Sequence, residues 1–169
     1  SASSRSAVPA DLKKYWEVKL GGKLTQPVMV DGRVYVVSKD VHTVCALDAA
    51  NGKTLWKYTA GGRIDSPPTV DQGRVWFGSA DGWIYCLRAE DGVMAWRYLV
   101  AFADRQIISC QQPESAWPVS GSVLVHNNTV YSLAGRNLFF DGGMRLVRLD
   151  SATGKKLSET VLDEIDPQT

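Results

Sequence analysis

Histidine and cysteine are scarce in this chain of 169 residues, with two and three copies. His42 and His126 stand far apart. Cys45, Cys86 and Cys110 contain no C-x-x-C pair and none sits at metal-ligand spacing from a histidine, so neither a zinc site nor a disulfide framework is written in them. Cys45 and Cys86 fall in apolar runs, where buried free thiols are the expected outcome. An excess of one charge is missing too: the net charge is +1 and the pI near 7.7. Lysines and arginines are scattered among acids, which removes the electrostatic footprint of a nucleic-acid binder. No apolar run approaches the ~18–20 residues needed to cross a bilayer. A basic-then-apolar leader is absent and the first residue is Ser1, so the expectation is a processing or artificial boundary, with any export signal removed or upstream.

Hydrolytic and metal motifs are missing as well. Ser120-Gly121-Ser122 is no nucleophile elbow, because Gly-x-Ser-x-Gly does not occur. Asp65, Asp71 and Asp81 are separated by strand turns and lack the dense spacing of a calcium loop. Asn127-Asn128-Thr129 fits a glycosylation acceptor formally, but a hairpin turn accounts for it better.

What the chain does contain is repetition. Thr43-Val44-Cys45-Ala46-Leu47-Asp48 running through Asn51-Gly52 to Leu55-Trp56 returns as Ile84-Tyr85-Cys86-Leu87-Arg88 through Asp91-Gly92 to Ala95-Trp96. Trp16, Trp56 and Trp96 stand forty residues apart, and a period of that size with strand-like content signals a blade array. Apolar content of 44% and charged content of 22% are those of an ordinary globular protein, and a chain of this length removes roughly 70% of its unfolded surface from water.

Three copies of a four-strand unit can be superposed. First strands are expected at Gln26–Val30, Ser66–Val70 and Trp117 running on to Val125. Asp31-Gly32, Asp71-Gln72-Gly73 and Asn127-Asn128 mark tight turns into second strands at 33–37, 74–78 and 129–133. Their β-branched and aromatic content, Tyr35, Trp76 and Tyr131 included, suits sheets buried on both faces. Third strands follow at 44–47, 85–87 and 146–149. Asn51-Gly52, Asp91-Gly92 and Thr153-Gly154 then turn the chain into fourth strands at 55–58, 95–98 and 157–159, with glycine supplying the positive φ. Tyr15-Trp16-Glu17-Val18 matches only the last strand of the unit. The expected organisation is an N-terminal extension at 1–14, an outer strand at 15–20, blades at about 24–60, 64–101 and 116–162, and a C-terminal tail at 163–169.

Copy three is enlarged. Pro67 stands eleven positions after Trp56, whereas Pro118 stands twenty-two after Trp96, which places an insertion in 103–115. A second expansion runs from Gly135 to Gly143. Long loops on a regular scaffold are where function tends to sit.

The pattern Ala/Leu-Leu-Asp-x-x-x-Gly-x-x-x-Trp, preceded by Val-Tyr-Val and a Ser-x-Asp turn, resembles the pyrroloquinoline-quinone-type repeat of quinoprotein alcohol dehydrogenase-like β-propellers. The resemblance runs from about Tyr15 to Glu159 and implies an all-β fold of four-stranded antiparallel blades. It also implies that Trp16, Trp56 and Trp96 wedge each outer strand against the next blade, with Ser158 in that slot in copy three. Glu114 to Val125 with Asp141-Gly142-Gly143 resembles a subset of large bacterial proteins of this superfamily. Complete rings there have seven or eight blades, so about three blades imply an incomplete ring.

The resemblance does not carry the chemistry with it. Family dehydrogenases use an Asp base, a Glu and Asn pair around calcium, and often a disulfide between adjacent cysteines. This sequence has no Cys-Cys pair and no residue-by-residue match to the calcium or base set, so neither the quinone nor calcium is expected to bind and no catalytic residue is assigned.

Residues that break the repeat are the candidate ligand-binding set. Trp117 stands where the other copies have Gln26 and Ser66, places expected near one end of the central channel. Trp83 stands where copy one has His42. Arg63, Arg105 and Glu114 lie beside them in linkers. An aromatic with arginine and amide neighbours suits a planar or sugar-like ligand, or a peptide. Two function classes follow. One is a non-catalytic scaffold or recognition module of a larger exported bacterial protein, periplasmic or extracellular and soluble. The other is part of a quinone-dependent dehydrogenase or carbohydrate-active enzyme whose catalytic groups lie outside these residues. The matching residues are structural, which favours the first. Expected partners are the remaining propeller blades or a second copy, meeting near Trp16 and Ser158–Val161.

Overall fold

A computed structural model describes residues 13–103, 105–109 and 111–164. Among them are fourteen strands and no helix. Three four-stranded antiparallel sheets follow one another along the chain, each laid down in sequence order. The first holds β1 (Val28–Val30), β2 (Arg33–Ser38), β3 (Thr43–Asp48) and β4 (Thr54–Thr59). The second holds β5 (Thr69–Asp71), β6 (Arg74–Gly78), β7 (Trp83–Arg88) and β8 (Met94–Leu99). A two-stranded hairpin, β9 (Gln106–Ser109) with β10 (Gln112–Ser115), interrupts the series. The third sheet holds β11 (Leu124–His126), β12 (Thr129–Ala134), β13 (Met144–Asp150) and β14 (Lys156–Leu162). The fold is therefore an arc of β-propeller blades, as the repeat predicts.

Register repeats as faithfully as sequence. Each third-to-fourth strand pairing slips once at the same place, after Ala46, Cys86 and Arg148. The slip leaves Trp56 opposite Ala46, Trp96 opposite Cys86 and Ser158 opposite Arg148. Asn127 and Asn128 both adopt positive φ, the requirement of the tight turn that joins β11 to β12.

The core lies between the blades. Side chains alternate across a strand, so the second sheet faces two ways. Val75, Phe77, Tyr85 and Leu87 pack on the first blade with Tyr35, Val37, Val44 and Trp56. Trp76, Ile84 and Cys86 pack on the third with Val130, Val147 and Leu149. Phe77 and Tyr85 stack at 5.2 Å.

At each blade step an indole meets a glycine. A Cβ on Gly52, Gly92 or Gly154 would lie 2.6 Å from the ring of Trp16, Trp56 or Trp96 respectively, and all three glycines have φ near +70°. The ring nitrogens of these tryptophans donate to the carbonyls of Ala49, Ala89 and Ser151 at 2.9, 3.0 and 3.1 Å. Only glycine leaves room for the ring while holding the turn conformation.

Two expected elements take another form. Tyr15–Leu20, expected as an outer strand, pairs with no sheet. Trp16, Val18 and Leu20 still face one way, onto Val36, Cys45 and Leu47, so the segment keeps strand alternation without a hydrogen-bonded ladder. The expected strand from Trp117 to Val125 shortens to Leu124–His126. Upstream of it the backbone bonds elsewhere, with Val119 N–H donating to Ser79 O at 3.0 Å and Pro118 O accepting from Gly135 N–H at 3.0 Å. Residues 1–12 of the expected extension at 1–14, Cys110, and residues 165–169 of the expected tail at 163–169 lie outside the described residues.

Candidate functional site

Strand direction sorts the connections into two ends. The turns after the first and third strands of each blade occupy one. The other carries the inter-blade linkers, the turns after β2 and β6, the expansion after β12 and the inserted hairpin. Both enlarged segments of copy three lie at this second end.

The insertion is held there by charge. Glu114 on β10 is 1% exposed. Its carboxylate lies 3.1 Å from the Arg63 guanidinium and 2.7 Å from that of Arg136. Arg63 also pairs with Asp65 at 2.9 Å. A buried carboxylate is tolerated only with such partners, so linker 60–66, hairpin and expansion are joined at one point. The hairpin also crosses the second blade to reach the first. His42 Nε2 and Gln112 Oε1 lie 2.7 Å apart, and Gln112 Nε2 donates to Asp40 O at 3.2 Å.

A second connection joins the two expansions. Arg105 pairs with Asp141 at 2.6 Å, and Trp117 Nε1 donates to Asp141 O at 2.7 Å. Phe102 meets Trp117 edge-on at 5.9 Å, and the Arg145 guanidinium lies over the Phe102 ring at 4.6 Å. These groups line a cavity of about 450 Å³. A smaller recess of about 180 Å³, lined by Asp81, Trp83, Arg105 and Ser115 among others, adjoins Arg105. Arg97 lies over the Trp83 ring at 4.3 Å. Tyr85 donates to Asp81 at 2.6 Å, and burial, followed by that hydrogen bond, pushes its phenol pKa well above the ordinary value.

Of the candidate residues, the structure gathers Arg63 with Glu114 in one cluster, and Trp117 and Arg105 around Asp141 in another. Trp83 shares the small recess with Arg105. Gln26 is exposed on the first blade, and Ser66 is buried with its hydroxyl donating to Gly121 O at 3.2 Å. Those two do not converge with Trp117. Trp117 itself is buried, so it forms a wall and presents no open stacking face.

Sequence reasoning missed Arg136, Arg145 and Phe102 as site residues, along with the pairings of His42 and Asp81. Arg136 carried a signal, a cation beside Gly135 in a repeat-breaking loop. Arg145 carried none, since arginine on a strand is ordinary.

The residues do not match the quinone and calcium set of family dehydrogenases. Cys45 and Cys86 are both buried, on different blades, and burial raises both thiols above their ordinary pKa. No three His, Cys, Asp or Glu side chains among the described residues converge as metal ligands. At the inserted end Asp81, Glu114 and Asp141 are each engaged by a tyrosine or by arginines.

Comparison with known proteins follows the blades. The model of the family described as outer membrane protein assembly factor BamB matches residues 6–168. The BamB of Burkholderia pseudomallei is 35% identical over 86 residues, 51% of this chain and 22% of that protein. A quinohemoprotein alcohol dehydrogenase from Pseudomonas putida superposes with a TM-score of 0.72 at 23% identity, over 87% of this chain and 22% of the other. BamB from Moraxella catarrhalis superposes with a TM-score of 0.56 at 20% identity, over 89% of this chain and 56% of the other. At those identities the structural likenesses speak to fold alone. The match to the Burkholderia relative spans about a fifth of that protein's length. No helix among the described residues is long and apolar enough to cross a membrane.

Proposed function

The chain belongs to the family of outer membrane protein assembly factor BamB, and from that premise we propose that it is a non-catalytic recognition scaffold whose partner is a protein. The contact surface is the end bearing the insertion and the expansion. The observation that carries this reading is where large apolar side chains remain in water. Phe139 and Phe140 on the expansion are 68% and 70% exposed, and Phe102 and Ile108 on the insertion are equally open. Contiguous exposed apolar patches mark interaction sites. The Glu114 cluster and the Arg105–Asp141 pair fix the loops that carry them, so little ordering entropy is left to be lost on binding. The family name supports a partner in outer membrane protein assembly, and a periplasmic location is part of the same proposal.

The test uses the full-length protein with Phe139→Ser and Phe140→Ser. Recovery of outer membrane assembly proteins with the variant should fall at least tenfold while its thermal unfolding is unchanged. Undiminished recovery would move the contact surface elsewhere. Calorimetric titration with pyrroloquinoline quinone and calcium should give no saturable heat, and a one-to-one isotherm would favour the dehydrogenase reading instead.

A further inference from the structure

The blade steps differ at the end opposite the insertion. Between the first and second blades, Arg33 Nη1 and Trp56 Nε1 donate to Ala89 O at 2.7 and 3.0 Å, with the Tyr35 hydroxyl at 3.5 Å. One carbonyl thus gathers the polar groups of that junction. Between the second and third blades the corresponding carbonyl, Ser151 O, accepts from Trp96 Nε1 at 3.1 Å. Arg74, the counterpart of Arg33, turns back to Cys86 Sγ at 3.8 Å. Trp76, the counterpart of Tyr35, is 1% exposed and its ring N–H is buried with no acceptor. A cleft of about 280 Å³ opens there, lined by Asp71, Arg74, Trp76, Asn128, Asp150 and Ser151 among others.

We propose that this cleft is a binding site for a small, neutral, hydroxyl-rich ligand of monosaccharide size. The volume far exceeds the roughly 10–15 Å³ that one water needs, and lies a little below the ~300–1,000 Å³ of drug-sized pockets. Trp76 closes the inner wall of the cleft, with its ring N–H shielded from solvent. A thiol is a poor acceptor, so Arg74 has a stronger bond to gain from a ligand oxygen than from Cys86. Asp71 and Asp150 on the same wall oppose an anion, and Arg74 opposes a cation. A hydroxyl resolves the mixture because it accepts from Arg74 and donates to a carboxylate or to Ser151 O. An apolar ligand leaves all of these groups unpaired. The site lies at the far end from the loops proposed to contact protein, so each stands or falls separately.

Indole N–H resonances of the whole chain report on the site directly. Trp76→Phe assigns the Trp76 signal, and D-glucose and inorganic phosphate are titrated in parallel. The expected result is a saturable shift of the Trp76 N–H with glucose, no shift of the Trp56 N–H, and at least tenfold weaker binding in Arg74→Ala. Arg74→Lys, which keeps the charge but not the fork, should weaken binding as well and serves if the alanine variant does not fold. A Trp76 signal that glucose leaves unmoved to high millimolar concentration means a cleft holding water only, and overturns the proposal. So does saturation by phosphate in place of glucose, or parallel movement of the Trp56 and Trp76 signals.

Discussion

The two blade junctions are built from the same repeat, yet only one is closed. Where the first blade meets the second, Tyr35, Arg33 and Trp56 converge on Ala89 O, and Trp56 is buried. Where the second meets the third, the tryptophan contact is retained by Trp96 on Gly154, but Arg74 is withdrawn and Trp96 is only half-buried. A tryptophan on a glycine is enough to set the blades in order. The polar groups beside it decide whether the seam is sealed, and replacing Tyr35 with the bulkier Trp76 leaves a donor that finds no carbonyl.

The largest effect that sharpens this contrast is loss of the indole itself. Trp56→Ala should cost about 3–5 kcal/mol, as buried aromatics do, and Trp96→Ala clearly less because its ring already meets water. Denaturant midpoints of the two variants check the order. A Trp56→Ala protein within about 0.5 kcal/mol of the parent, the usual size of a surface change, would remove the tryptophan from any role in holding the blades.

Next is the other half of the same contact. Gly92→Ala places a methyl against the Trp56 ring and forces alanine to φ +73°. Left-handed backbone costs roughly 1–2 kcal/mol and overpacking a further ~1–3 kcal/mol. Gly32→Ala meets the same φ penalty with open space around the new methyl. The difference between the two melting curves therefore isolates the clash with the ring, and equal curves would show that the ring simply moves aside.

These contacts also show what the chain makes legible. Strands and their glycine turns recur in order, so three copies confirm one another, whereas the contacts of Trp16, Trp56 and Trp96 with Gly52, Gly92 and Gly154 do not keep one spacing. The β9–β10 hairpin occurs once and had no second copy to reveal it. Its anchor, Glu114 on β10 between Arg63 and Arg136, joins a hairpin strand to two separate loops whose approach leaves no mark in local spacing. Tyr15–Leu20 carries the alternation of a strand, which specifies the face it presents but not a partner for its backbone. Trp117 read as a break in the pattern, and it is one, but the Asp141 carbonyl that takes its ring N–H lies 24 residues on in a loop of no regular pattern.

A smaller effect separates the arginines. Arg33→Ala removes one of three donors to Ala89 O and should cost about 1 kcal/mol, the usual net value of a hydrogen bond. Arg74→Ala should stay within about 0.5 kcal/mol, since it gives up only a contact with a thiol. Equal losses would mean that the second junction is sealed as tightly as the first.

The smallest expected change in stability tests the slot that has no tryptophan. Ser158 occupies it on β14 by register, on the third blade's outer face beside the partly exposed Leu133 and Leu146. By contrast, the corresponding face of the first blade, which bears Tyr35, Ala46 and Trp56, is covered by the second blade. Ser158→Trp should leave the unfolding free energy within about 0.5 kcal/mol of the parent, because no glycine turn among the described residues faces the new ring. It should instead enlarge the apolar surface and raise self-association, as exposed apolar patches do. Light scattering over a concentration series measures this. A variant that becomes markedly more stable while remaining monomeric would show that the ring has found a seat within the third blade, and that this face needs no neighbour.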